Sequence, residues 1–114
     1  AFISVKDSDK EIAKKIAIRL IKLGFEIVAT HGTANFFKDS GLKVEYVNKV
    51  TQGSPNIVNL MEKGGIALVI NTTEGKNSLS DSYSIRRTAL MKKIPYQTTI
   101  SGGMALIGAI EKFI

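Results

Sequence analysis

The stretch FEIVATHGTANFFKDSG, residues 25–41, decides how the chain is read. FEIVAT is a buried-looking apolar run that reads as a strand. ANFFKDSG turns helical at once and is closed by Gly41, as a helix end should be. Between them stand Thr30, His31, Gly32 and Thr33. A plain strand-to-helix connector needs only a glycine and a capping residue. This joint carries more polar groups than the turn requires.

The same alternation runs outward in both directions. FISV, residues 2–5, lacks helical period and reads as a first buried strand. In KDSDKE, Ser8 three residues before Glu11 predicts a capping box. Ile12, Ile16, Leu20 and Leu23 then recur at helical spacing, widened by Ala13, Ala17 and Ile21, until Gly24 ends the helix. KVEYVNKV is a third strand, and TQGSPN is a loop with Pro55 placed to open the helix NIVNLMEK, stopped by Gly64 and Gly65. IALVI is the fourth strand and the most continuously apolar, hence expected at the centre of the sheet. NTTEGKNSLSDS reads as a long polar loop, followed by a helix from about Asp81 to Lys92. PYQTTI gives a fifth strand, and Ser101 is expected to cap a last helix through GGMALIGAIEKF. Five strands alternating with five helices predict an α/β three-layer sandwich, a parallel sheet covered on both faces. A length of 114 residues fits one domain, residues 1–114, without internal repeat or linker.

Composition narrows the class. Hydrophobic residues make up 44% and charged residues 23%, which is ordinary for a globular protein and argues against disorder. The chain has no cysteine, so disulfides and thiolate metal sites are excluded and a reducing cytoplasm suits it. Runs such as IALVI are far too short to cross a bilayer, and no charged-then-apolar leader begins the chain. Ala1 stands where an initiator methionine would, which leaves open an origin in a longer chain. Sixteen Lys and Arg against ten Asp and Glu give a net charge of +6, a balance that favours anionic partners. The lysines alternate with acids along DSDKEIAKKIAIRLIK as on a solvated helix face. With aromatics at only 7%, a base-stacking platform for nucleic acid is not expected, and a small anion is the better fit.

Parallel sheets bind ligands beyond the carboxyl ends of their strands, so the strand-to-helix loops are the segments that matter. Lys10 falls in the first turn of helix one, where a cation is mildly unfavourable against the helix dipole. Thr30 and Thr33 flank Gly32 at the mouth of helix two. Lys49 follows strand three, while Asn71, Thr72, Thr73 and Lys76 follow strand four. A helix start offers free N–H groups, hydroxyls add donors, glycine permits close approach and lysines bring charge. Two readings of the joint stand side by side: Thr33 as a simple cap with Gly32 as a turn residue, or an anion cradle. Lysines at three strand-end loops favour the cradle. Lys10 by itself reads as a surface residue, and His31 as structural or solvated rather than a ligand contact. Arg86 and Arg87, being adjacent, point to different sides of a helix and suit salt bridges. SGGMA reads either as another cradle or as close helix packing. No Ser/His/Asp order, metal-ligand cluster or Walker loop is present.

The motifs ATHGTA, VNKV, GSPNIV, LVINTTEGK and DSYSIRRTAL, in this order and spacing, closely resemble the carboxyl-terminal regulatory domain of bacterial carbamoyl-phosphate synthetase large subunits. That domain belongs to the methylglyoxal-synthase-like superfamily. The resemblance runs nearly end to end. It implies a five-stranded parallel sheet of order 3-2-1-4-5 and a domain that does no chemistry of its own. It implies a switch that binds uridine monophosphate (UMP) as inhibitor or inosine monophosphate (IMP) as activator. Carried over by motif position, Lys10, Thr30, Thr33 and Lys49 would hold the effector's phosphate. Asn71 and Thr73 would face the ribose and base side, with Asp81 as a ribose or loop-positioning contact and Lys76 as an additional one.

No cofactor or metal is implied for this domain. ATP, with Mg or Mn, belongs to the other domains of the parent, a glutamine-hydrolysing ligase of arginine and pyrimidine biosynthesis. The implied partners are the effector, the remaining large-subunit domains, the small glutaminase subunit and a second copy, with no nucleic acid or membrane and a cytoplasmic setting. A family ornithine site lies at the boundary with a neighbouring domain, so a complete ornithine site is not expected within these 114 residues. Many relatives carry two basic residues after the NT-x-x-G turn where this chain has Lys76-Asn77, so its pocket is less positive there.

Two rivals share the fold. Methylglyoxal synthase eliminates phosphate from dihydroxyacetone phosphate using an aspartate in a Gly-Gly-Asp loop after strand three. Here that loop reads TQGSPNIV, with no carboxylate, and a missing base forfeits on the order of 10²–10⁴ in rate. NTTEG likewise stands where the synthase has an Asp-Pro-Leu turn. The cyclohydrolase domain of purine synthesis shares the fold but not the VNKV, GSPNIV and SYSIRR series.

Overall fold

The computed structural model describes the backbone of residues 1–72 and 76–113, and the side chains of residues 1–50, 52–72 and 82–113. Its strands are β1 (Phe2–Ser4), β2 (Val28–Ala29), β3 (Glu45–Tyr46), β4 (Val69–Asn71) and β5 (Tyr96–Gln97). They form one all-parallel sheet in the order β3-β2-β1-β4-β5, the order the resemblance implied. Phe2 of β1 sits opposite Val28 on one side and Val69 on the other. The chain winds outward from β1 to β3, then returns to lay β4 along the free side of β1. That reversal makes the gap beyond β1 and β4 the switch point of the sheet. β1, rather than the more apolar β4, holds the middle.

Helices α1 (Lys10–Lys22), α2 (His31–Asp39), α3 (Ile57–Glu62), α4 (Lys76–Lys92) and α5 (Ile100–Phe113) make the connections and the last layer. Side chains alternate across a strand, so neighbours in sequence serve opposite faces. Ile3 and Ile70 pack with Ile16 and Leu20 of α1, Phe37 of α2 and Ile107 of α5. Phe2 and Val69 pack with Ile57 and Met61 of α3 and with Ile85 and Ala89 of α4. Arg19 of α1 reaches Glu111 of α5, its Nε donating to Oε2 at 3.0 Å. That hydrogen bond holds the Glu111 carboxyl below its ordinary value. Among the described residues no helix is long and apolar enough to cross a membrane.

Element starts depart from the sequence expectations for local reasons. The backbone makes a 3-10 turn over Asp7–Asp9 before α1, so Ser8 never reaches the cap position and no side chain caps the helix. Glu11, the other half of the expected box, pairs with Lys14 at 3.4 Å instead. α2 begins at His31, three residues before the apolar pattern does. α3 is opened by Asn56 and not by Pro55: the Asn56 side chain accepts from the Val58 and Asn59 N–H groups, and Asn59 answers to the Asn56 N–H at 2.8 Å. α4 starts at Lys76, well before Asp81, taking in much of the stretch read as loop. α5 starts at Ile100, where Thr99 Oγ1 accepts from the Gly102 N–H at 3.0 Å in the role expected of Ser101. The end of α1 is as expected: Gly24 adopts φ +94° and the Phe25 N–H returns to the Leu20 carbonyl at 3.0 Å.

Candidate functional site

All five parallel strands end on the same edge, and the segments leaving β1, β2, β3 and β4 gather there around a cavity of about 310 Å³. Lys10, Thr30, Thr33, Lys49 and Asn71, five residues singled out by sequence, all line it. They come from widely separated parts of the chain, and the sheet order alone brings them together. Thr73 lies outside the described residues, as do the side chains of Lys76 and Asp81.

The floor is stitched by the ends of β1 and β4. Thr72 donates its N–H to the Ser4 carbonyl at 2.9 Å, and its Oγ1 accepts from the Lys6 N–H at 3.0 Å. Asn71 is buried, and its amide donates to Ser82 Oγ at 2.9 Å and to Tyr96 Oη at 3.1 Å. Both amide hydrogens are therefore spent on the scaffold, so the carbonyl oxygen is what Asn71 has left to offer. That suits a hydroxyl donor better than an anion.

The second wall is the amino end of α2. Thr30 occupies the cap position with extended backbone, yet its hydroxyl does not cap the helix and shares a 2.9 Å hydrogen bond with Ser4 Oγ. The first-turn amides of α2 are thus left without a side-chain cap, at the positive end of the helix. Thr33 is not a cap either. Its Oγ1 is buried and accepts from the Val5 N–H at 3.2 Å, while its separation of 3.5 Å from the Val5 carbonyl is too long for a good bond. The hydroxyl proton is thus only weakly engaged, by the Val5 carbonyl. Replacing Thr33 by valine should lower stability by about 1–3 kcal/mol, the cost of stranding the Val5 N–H, with serine restoring it. Urea unfolding of the two variants measures this, and an unchanged valine variant would show that the bond carries nothing.

Charge enters from two sides. Lys10 begins α1 and extends over α2, its ammonium lying 3.7 Å from where a Cβ on Gly32 would stand. It donates to Asp7 Oδ1 at 2.5 Å. That hydrogen bond, and then the ammonium's charge, hold the Asp7 carboxyl below its ordinary value. Lys49 approaches from beyond β3, its own N–H fixed by Gln52 Oε1 at 2.7 Å. It forms no ion pair among the described residues.

Other sequence candidates lie elsewhere. His31 turns away from the basin and sets its ring edge-on against Tyr46, with centroids 4.9 Å apart, beside a separate cavity at the β3 edge. Arg86 and Arg87 are both exposed and form no ion pair among the described residues, contrary to the expectation of salt bridges. SGGMA lies inside α5. There Gly103 lets the helix close on the sheet, since a Cβ would stand 3.1 Å from Ile70 Cδ1. Sequence reasoning passed over Ser4, Asp7 and Ser82, which also line the basin. The one signal for Ser4 was a hydroxyl at the end of an otherwise apolar strand.

A parallel sheet of order 3-2-1-4-5 with hydroxyls, amides and lysines gathered at its switch point defines an α/β domain with a polar, cation-lined basin at its strand ends. The sequence profile of the MGS-like domain matches residues 13–98, and the chain belongs to that family. It is 53% identical over 111 residues to the carbamoyl phosphate synthase large chain of Pseudomonas syringae pv. tomato, which covers 97% of this chain and 10% of the relative. The large chain of Xanthomonas axonopodis pv. citri is 45% identical with the same coverage. That of Myxococcus xanthus is 47% identical over 96% of this chain and 10% of its own length. The chain thus spans about a tenth of the length of the curated relatives it matches.

Proposed function

We propose that this domain is the allosteric effector-binding part of a carbamoyl-phosphate synthase large chain, taking a nucleoside monophosphate of the UMP or IMP type and leaving it chemically unaltered. The observation that carries the reading is the convergence of Lys10, Thr30, Thr33, Lys49 and Asn71 on one cavity at the switch point. A volume of about 310 Å³ lies at the low end of small-ligand pockets and suits a mononucleotide. The phosphate sits between Lys10, Lys49 and the amino end of α2, with Thr30 and Thr33 as hydroxyl donors. Asn71, with only its carbonyl oxygen to spare, meets a ribose hydroxyl; by motif position alone, Thr73 and Asp81 are assigned to that side and Lys76 is an additional contact. The parent supplies the ATP and Mg or Mn chemistry, the small glutaminase subunit and the cytoplasmic setting of arginine and pyrimidine biosynthesis. Regulation then requires the effector to prefer one state of that parent by about 1–3 kcal/mol. The isolated domain binds without displaying that coupling.

The enzyme reading, a lyase acting on dihydroxyacetone phosphate, needs a base poised near neutrality. Asp7 is the one carboxylate lining the basin among the described residues, and Lys10 holds it below its ordinary value. Such a group is a poor proton acceptor. Calorimetric titration with UMP and with IMP should give saturable binding that weakens as salt rises. In the same preparation dihydroxyacetone phosphate should yield no methylglyoxal. Absence of binding at millimolar nucleotide would overturn the effector reading, and measurable turnover would favour the lyase.

A further inference from the structure

We propose that Asp7 is a built-in competitor for the effector's phosphate, a carboxylate that occupies the Lys10 ammonium until a guest anion replaces it. The inference rests on the reading of the basin as a phosphate site and adds the element that sets its affinity. Lys10 Nζ lies over Gly32 in the first turn of α2 and also belongs to the first turn of its own helix. Both placements set a cation at the positive end of a helix dipole, so the ammonium needs an anion beside it. Asp7, at the exposed margin of the basin, supplies one at 2.5 Å. A phosphate lodged between the ammonium and the amino end of α2 would satisfy both together, which Asp7, reaching only Lys10 from the solvent side, does not.

The pair is built to part. The Lys10 side chain is 18% exposed and that of Asp7 is 93% exposed. The cation is fixed in the wall while the carboxylate stands in water, and on release it keeps nearly all of its hydration. Solvent-exposed ion pairs hold weakly. Asp7 therefore yields to a phosphate and does not block it, while opposing it through charge. Asp9, in the same 3-10 turn, carries the same charge but does not line the basin and makes no ion pair among the described residues. The distinction between these two acids is what separates a competitor from general surface charge.

The test measures inorganic phosphate binding by calorimetry at constant ionic strength to the unaltered chain, Asp7→Asn and Asp9→Asn. Asp7→Asn should tighten binding by about two- to fivefold, the span expected of an exposed ion pair, and Asp9→Asn should leave it unchanged. In a Lys10→Ala background the gain from Asp7→Asn should vanish, because the competition acts through that ammonium. Equal affinities for the unaltered chain and Asp7→Asn, or equal tightening by both substitutions, would overturn the role of Asp7 while leaving the phosphate site standing. Phosphate binding to none of the proteins would overturn the underlying site as well.

Discussion

Replacing Lys49 by alanine is expected to weaken mononucleotide binding by about tenfold or more, the worth of a hydrogen bond to a charged group, without moving the unfolding midpoint. Lys49 enters the basin from the edge of the sheet, on backbone pinned by Gln52, and its side chain is exposed and unpaired among the described residues. Its removal takes away no packing and breaks no native ion pair, so stability has little reason to change. Lys10 differs in that respect. Its charge is already partly offset by Asp7, and part of what it gives a guest replaces what it gave the carboxylate. Lys10→Ala should therefore cost less affinity than Lys49→Ala. Lys63, on a separate cavity beside Tyr46, provides the control and should be silent. Isothermal titration with UMP at low and moderate salt orders the three variants. An unchanged affinity for Lys49→Ala would remove that residue from the site.

What the sequence made legible depended on how local the cause was. Strand and helix identities follow from apolar period, a property of neighbouring residues, and all ten elements appear in the expected order. Gly24 ends α1 because a left-handed residue is needed there whatever else the chain does. The starts of helices were harder, since several groups compete to cap them. Asn56 won over Pro55, and Thr99 over Ser101, because each pair lies within two residues and only the folded backbone selects between them. The basin was legible one loop at a time: each strand end displayed its hydroxyl, amide or lysine in plain sequence. What stayed hidden was the state of each group. That Thr33 is committed to Val5, Thr30 to Ser4, and Asn71 to Ser82 and Tyr96 depends on partners 11 to 28 residues away. The Asp7 and Lys10 pair is local, at spacing i,i+3, yet it was obscured by the expectation of a cap at Ser8.

The same dependence of the site on the scaffold predicts a large effect from a residue that touches no ligand. Phe37→Ala should destabilise the domain by about 3–5 kcal/mol, the range for emptying a fully buried phenylalanine site. Phe37 is completely buried in the core formed on one face of the sheet, on the helix whose amino end faces the basin. A loss of this size is a large share of the roughly 5–15 kcal/mol that holds a typical domain together. Its neighbour Phe36 is only partly buried against the same core, so Phe36→Ala should cost distinctly less. Urea titration should show a lower midpoint for Phe37→Ala with an unchanged slope, the mark of altered stability rather than altered compactness. Under conditions where the variant is still folded, nucleotide affinity should also fall, because α2 has lost the anchor that aims its first-turn amides. A destabilisation below about 1 kcal/mol would mean that the core closes over the cavity, in contrast to the usual partial relaxation. Undiminished affinity in the folded variant would mean that the amides of α2 are held in place by Thr30 and Thr33 alone.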